Sequence, residues 1–289
     1  MSQIKITCDS TCDLTEELYR KYDVEVMPLG IMLGDKLYRD GVDVTAESVF
    51  SFVSETGVLP KTSAASVTEY ADLFRKYTEQ GYAVIHINIS SEFSVCYQNA
   101  CRAAEEVGNV YPIDSRNLSS GSGHLVMAAA ELAAKGLEAP EIAERLNEMK
   151  ARLDVSFVLQ TLEYLKKGGR CSGVVALGAS LLHLRPEIEV VDGSMKVGRK
   201  YRGKMEKSIL DYVRGRLEGR TDLQLNRIFI THSHAPAEIV EKVRQLVLEL
   251  QPFAEVIETY AGCTVSSHCG PNCLGVLFFR KAEEKNETV

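Results

Sequence analysis

The stretch Ala83-Val84-Ile85-His86-Ile87-Asn88-Ile89-Ser90-Ser91-Glu92-Phe93-Ser94 joins an apolar, β-branched run to a hydroxyl-rich turn, and a helical pattern follows as far as Val107. A near-continuous apolar run suits a strand buried on both faces, and a strand leading through a turn into a helix is half of a βαβ unit. The same order recurs on either side. From Gln3 to about Gly136, strands are expected at Ile4 to Cys8, Glu25 to Leu29, Ala83 to Ile89 and Asn109 to Ile113. Helices are expected at Thr15 to Tyr22, Ala46 to Thr56, Val67 to Gln80, Phe93 to Val107 and Ser122 to Ala134, each after a Ser, Thr, Asp or Gly-rich turn. This alternation predicts an α/β fold whose first part is a mostly parallel sheet flanked by helices, with ligands expected at the carboxyl edge of the strands.

A polar helical segment from Leu137 to Ala151, with Pro140 near its start, leads out of this unit. At 289 residues the chain exceeds the size at which one core keeps growing, so the reading divides it into two α/β domains, 1–150 and 151–289, with a cleft available between them. Strands in the second part are expected at Val155 to Gln160, Glu187 to Val191, Met195 to Tyr201, Arg227 to Thr231, Glu255 to Tyr260 and Gly275 to Arg280. Asp192-Gly193 between two of them is a hairpin signal, because a tight type I′ turn needs positive φ at both central residues. With helices at Lys204 to Arg216 and Pro236 to Leu250, the second sheet is read as mixed or antiparallel. The charged tail, Lys281 to Val289, is expected to fray.

Composition bounds the function. The chain is 45% hydrophobic and 25% charged, as an ordinary globular protein is. A net charge of −7 argues against wholesale binding of nucleic acid or anionic membrane, so any anion site must be local. Met1 to Ile6 shows no basic region followed by an apolar stretch, and no uncharged apolar run is long enough to span a bilayer; the expectation is a cytoplasmic protein without integral membrane association. Eight scattered cysteines are then expected as free thiols rather than disulfides.

Two hydroxyl clusters, Thr62-Ser63-Ala64-Ala65-Ser66 and Ser90-Ser91-Glu92-Phe93-Ser94, are both expected at helix N-termini, where free backbone N–H groups and the positive end of the helix dipole suit a carboxylate or phosphate. Plain capping explains either cluster taken alone. His268 is expected in a loop, Ser266 to Asn272, and loop histidines are more often functional than those on core faces. Cys263, His268, Cys269 and Cys273 fit no common zinc spacing, and His232 and His234 supply two ligands with no evident third, so no metal and no cofactor is expected. A hydrolase using Ser94 and His268 is conceivable, but the Gly-x-Ser-x-Gly elbow is missing and no acidic residue is evidently placed to orient the histidine. No Walker A or complete dinucleotide fingerprint occurs, and Ser119 to Gly123 is read as a flexible helix start. Lys166-Lys167-Gly168-Gly169-Arg170 suits the C-terminal end of a helical run ending at Leu165. Six basic residues against one acidic between Lys196 and Lys207 read either as a solvated face or as a docking surface for an acidic partner, with Arg199, Lys200 and Arg202 the candidates.

In chain order these motifs resemble the DegV family of bacterial fatty-acid-binding proteins. The resemblance rests on Asp9-Ser10-Thr11 with Asp13-Leu14, Thr62-Ser63-x-x-Ser66, Ser90-Ser91-x-x-Ser94 with Tyr97-Gln98, and Asp114-Ser115. It continues through Leu162 to Arg170, Leu184-Arg185-Pro186, Asp192-Gly193 and His268-x-Gly270-Pro271. It implies a two-domain α/β protein that encloses one long-chain, palmitate-like fatty acid between the domains. The carboxylate would be held by Thr62, Ser94 and His268, with Ser63 and Arg170 near the head group. It implies a carrier without catalytic residues that presents the acid to a separate fatty-acid kinase; the alternative is a serine hydrolase or thioesterase using Ser94 and His268. Val95-Cys96 and Cys269 with Asn272 stand where the family usually has Gly-Thr and Thr with Gly, which narrows backbone access near the head group.

Overall fold

The computed structural model describes residues 3–171 and 184–282; the tail expected to fray lies, from residue 283 on, outside the described residues. The first part contains β1 (Ile4–Asp9), β2 (Val24–Met27), β3 (Gly30–Leu33), β4 (Lys36–Arg39), β5 (Lys61–Ser63), β6 (Ala83–Asn88) and β7 (Val110–Asp114). Its helices are α1 (Glu16–Lys21), α2 (Ala46–Thr56), α3 (Val67–Thr78), α4 (Cys96–Val107), α5 (Ser119–Ala134) and α6 (Ala139–Met149). β2, β1, β6 and β7, in that order, form an all-parallel sheet. β6 is buried along its whole length, the reason its sequence is a near-continuous apolar run. β4, β3 and β5 form a separate antiparallel sheet that the sequence reading did not contain.

The second part contains β8 (Leu153–Val158), α7 (Glu163–Gly168), β9 (Leu184–Val191), β10 (Ser194–Arg202), α8 (Met205–Leu217), β11 (Leu223–Ser233), α9 (Ala237–Leu250), β12 (Glu255–Tyr260), α10 (Cys263–Cys269) and β13 (Cys273–Arg280). Its strands form one mixed sheet, ordered β10-β9-β8-β13-β11-β12, in which β11 and β12 pair in parallel and the other pairs are antiparallel. The β9–β10 hairpin turns at Asp192 and Gly193 with φ of 53° and 80°, as the Asp-Gly dipeptide requires.

α5 sets the layering. It packs on β1 and β6 on one side and on β8, β11 and β13 on the other, so it is sandwiched between the two large sheets. Its small residues follow from that position: a Cβ on Gly121 would stand 2.8 Å from Val155, and one on Gly123 would stand 2.8 Å from the Cys12 carbonyl. The Ser119 to Gly123 segment, read as a flexible helix start, is instead the buried first turn of this helix. The main core runs across both sheets, from Ile6, Ile85 and Ile87 to Val155, Phe157 and Leu277. A second core lies under α8 and α9 on the far face of the mixed sheet. A third, small one joins Ile31 of β3 to Val44, Val49 and Cys263, and so ties α10 to the three-stranded sheet.

Candidate functional site

The parallel sheet changes direction of winding between β1 and β6, and the carboxyl ends of those strands flank the crevice where ligands bind in open α/β sheets. Buried Asp9, at the end of β1, accepts hydrogen bonds from the Ile89 N–H (3.0 Å), the Tyr70 hydroxyl (2.6 Å) and the Asn88 amide (3.2 Å). It thereby fixes the start of the Ser90–Ser94 loop. Ser90 donates to the Gly193 carbonyl (2.8 Å), which ties that loop to the β9–β10 hairpin.

Beside this edge lies a cavity that opens to solvent. Thr62, Ser63, Ser94, Arg170 and His268 all line it. The rest of its wall is mostly apolar: Leu29, Ile89, Phe93 and Leu118 from the first part, and Val155, Phe157, Leu165, Met195, Val265 and Leu277 from the second. Ser119, Ser156, Thr231 and Ser233 also reach it, and their hydroxyls are paired within the protein.

Three local expectations need correcting. Thr62 and Ser63 are not at a helix N-terminus; they lie on β5, whose pairing with β3 sets Thr62 opposite Ile31. The cap of α3 is Ser66, which forms a capping box with Glu69 (Ser66 N–H to Glu69 Oε2, 2.7 Å; Glu69 N–H to Ser66 Oγ, 3.2 Å). His268 is not in a loop but in the last turn of α10, and Gly270, with φ of 72°, follows the helix. α4 starts at Cys96 rather than Phe93, which leaves Ser94 just ahead of it, its Oγ accepting from the Cys96 N–H at 3.3 Å.

His268 Nε2 and Thr62 Oγ1 are hydrogen-bonded at 2.9 Å across 206 residues of sequence. His268 Nδ1 is buried and has no hydrogen-bond partner among the described residues. It faces Gly168 of α7, where a Cβ would stand only 2.3 Å away. Burial, assisted by the positive charge of Arg170, lowers the His268 pKa to about 4, so the imidazole is neutral near pH 7. Arg170 follows α7 beyond Gly169, which ends the helix with φ of 70°. Its guanidinium donates to the Gly168 carbonyl (2.6 Å) and the Phe93 carbonyl (3.4 Å), placing the charge at the mouth between α7 and the Ser94 loop.

The sequence reading did not single out Asp40, nor Gly168 for its closeness to His268. Asp40 accepts from the Cys263 N–H (2.9 Å), the Thr264 N–H (3.0 Å) and the Thr264 hydroxyl (2.6 Å). Asp13 accepts from the Gly262 N–H (2.9 Å) and the Ser119 hydroxyl (2.5 Å). Burial and the nearby charge of Asp40 raise Asp13 to about 8, against the lowering effect of those two hydrogen bonds. The Asp40-Gly41 dipeptide carries a turn signal in the sequence, but nothing there points to a helix more than two hundred residues away.

Arg199, Lys200 and Arg202 lie exposed on β10, an edge strand of the mixed sheet, and do not line the cavity. All eight cysteines are free thiols. Among the described residues no cluster of three or more His, Cys, Asp or Glu could hold a metal ion, and no helix is long and apolar enough to cross a membrane.

The model of the DegV family, described as uncharacterised protein, DegV family, matches residues 3–281. The chain belongs to the DegV family. It is 34% identical over 287 residues to a DegV domain-containing protein of Clostridium acetobutylicum, covering 97% of this chain and 100% of that one. Among solved structures it resembles a DegV family protein from Thermus thermophilus described for its fatty-acid binding (31% identity, TM-score 0.85, covering 96% and 99% of the two chains). It also resembles a stearic-acid-binding protein from Eubacterium ventriosum (27% identity, TM-score 0.83, 96% and 99%). DegV of Bacillus subtilis, described as a fatty acid binding protein, matches at 26% identity and a TM-score of 0.85 over 97% and 100% of the chains. The α/β architecture, with one parallel and one mixed sheet, is therefore shared along almost the whole DegV chain.

Proposed function

We propose that this protein binds one long-chain fatty acid, its tail in the apolar cavity and its carboxylate held at the mouth by Thr62, Ser94 and His268. The observation that carries the reading is the Thr62–His268 hydrogen bond at the mouth of an otherwise largely apolar cavity. Structural relatives described as binding fatty acids support it. In this reading residues 1–150 and 151–289 are the two domains, and the acid lies between their sheets.

Hydrogen-bond chemistry assigns the roles. An unpaired buried N–H is rarer and costlier than an unpaired acceptor, so the imidazole proton belongs on Nε2 and the lone pair on Nδ1, against Gly168. Nε2–H then donates to Thr62, which leaves the Thr62 hydroxyl proton for the ligand, so His268 holds the carboxylate through Thr62 rather than by a hydrogen bond of its own. Ser94 accepts from the Cys96 N–H, and its other close neighbour, Cys96 Sγ at 3.0 Å, is a weak acceptor; a carboxylate oxygen is the better partner for its proton. Arg170 adds a positive charge at the mouth, and Ser63 completes the rim. Burying about 14 methylenes at about 0.8 kcal/mol each gives an upper bound near 11 kcal/mol, from which ordering of the tail subtracts several, so the wall supplies most of the affinity and the polar groups fix orientation.

The protein acts as a carrier with no catalytic residues of its own, presenting the carboxylate to a separate fatty-acid kinase. Arg199, Lys200 and Arg202 on the exposed β10 edge give such a partner a basic surface on an otherwise acidic protein. The hydrolase reading gains nothing from the geometry, since nothing among the described residues orients Nδ1 of His268 and Nε2 is taken by Thr62 rather than Ser94. The test is the double substitution Thr62→Ala, Ser94→Ala. The account expects fatty-acid affinity to fall by about 100-fold, two lost charge-assisted hydrogen bonds at ~1.5 kcal/mol each. An unchanged affinity would overturn the head-group assignment, and turnover of a chromogenic acyl ester that is lost in Ser94→Ala would favour the hydrolase.

A further inference from the structure

The three-stranded sheet touches α10 at both ends. From β5 it supplies Thr62, hydrogen-bonded to His268 in the last turn, and from the end of β4 it supplies Asp40, which accepts from the Cys263 and Thr264 N–H groups in the first turn. Asp13 takes the Gly262 N–H just before the helix. Three consecutive N–H groups that open a helix are thus held by two aspartate side chains more than two hundred residues away in sequence. A seven-residue helix is too short to be stable by itself, and its N-cap, Gly262, has no side chain to satisfy them. The packing agrees: Cys263 shares a core with Ile31, Val44 and Val49, so the start of α10 is seated on β3 and α2.

We infer that Asp40 is a positioning residue for the fatty-acid site: by fixing the first turn of α10 against the sheet that also carries Thr62, it sets where His268 stands one turn further on. Ser10 completes the arrangement, donating to Asp40 Oδ2 at 3.0 Å while accepting from the Leu29 N–H at 3.2 Å. Leu29, Thr264 and Val265 are cavity walls, so the same contacts couple the frame of the head-group site to the tail channel. Asparagine at position 40 cannot reproduce this, because its amide nitrogen is a donor and in either orientation would face a backbone N–H, that of Cys263 or that of Thr264.

This inference rests on the fatty-acid reading, and its test separates the two. Binding of a fluorescent long-chain fatty acid is measured for the intact chain, for Asp40→Asn, for His268→Ala and for the double substitution, with the His268 side-chain nitrogen resonances followed by NMR without ligand. Asp40→Asn is expected to weaken binding by about tenfold, the factor matching the loss of a strong helix cap. In the His268→Ala background the same substitution is expected to have little further effect, since its action passes through that ring. The ligand-free Nε2 resonance is expected to shift when the Thr62 hydrogen bond is disturbed. Ser10→Ala, which removes one donor and leaves the carboxylate in place, should show the same pattern more weakly and remains informative if Asp40→Asn does not fold. An equal loss of affinity with and without His268, or an unmoved Nε2 resonance, would show that Asp40 merely supports the fold. A wild-type chain that binds no fatty acid overturns the ligand assignment, and the resonances still decide the positioning role.

Discussion

Gly168 lies in α7, where alanine would ordinarily favour the helix by roughly 1 kcal/mol. Here its missing side chain makes room for the His268 ring. Gly168→Ala is therefore expected to cost about tenfold in fatty-acid affinity, with the melting temperature little changed, a loss near the size of one hydrogen bond; calorimetric titration against the wild type measures it, and an unchanged affinity would mean that the ring relocates freely. Asp13 gives a pH signature. Its carboxyl is raised from 3.8 to about 8 in the folded protein, so the folded state binds the extra proton, and Asp13's contribution to stability, full below about 4, is lost as pH rises towards 8. His268, lowered from 6.5 to about 4, acts in the opposite sense: its contribution is present above 6.5 and is lost as pH falls through 4. Between about 6.5 and 8 Asp13 stands clear of His268. Denaturant unfolding across that window should show wild-type stability falling with pH and Asp13→Asn giving a flatter profile; equal slopes would refute the raised carboxyl. The two hydroxyl clusters and His268 could be picked out from the sequence as groups able to hold a small anion, while the choice of Thr62 and Ser94 within the clusters came only from the resemblance to the DegV family. Asp40 could not be assigned its role, because its partners are backbone N–H groups at the far end of the chain.

At the scale of elements, what could be read locally was what carries its own periodicity. β1, β6 and the helices α2, α3, α8 and α9 show it, and each stands within a few residues of its expected place; α4 starts three residues late and α5 three residues early. β3, β4 and β5 are only three or four residues long and have no room to display alternation. α10 is a run of small polar residues with no apolar stripe, and its helical form comes from Asp40, Asp13 and the packing of Cys263 rather than from propensity. Where a helix has its cap next to it in sequence, the legible signal also holds energy: Ser66→Ala breaks the capping box of α3 and should cost about 1 kcal/mol of stability by chemical denaturation. Ligand affinity should stay the same, because Ser66 does not line the cavity.

For the molecule as a whole, the central feature is that one layer serves both parts. α5 packs between the parallel and the mixed sheet, α7 packs on α10, and the cavity has walls from both parts of the chain. Length and the change of strand pattern near residue 150 indicated two α/β units; that a helix from the last thirty residues would pack on a three-stranded sheet from the first seventy was not legible, since no local property records it. Under the proposed function, neutral hydroxyls, a neutral imidazole and one arginine at the mouth would let an acidic chain hold an anion at one local site. The most direct test is native mass spectrometry of the intact chain purified without detergent, followed by extraction and analysis of what it releases. The account predicts one long-chain fatty acid per chain, much reduced in the Thr62→Ala, Ser94→Ala protein. A chain that carries none and takes up none when offered palmitate or stearate would contradict it.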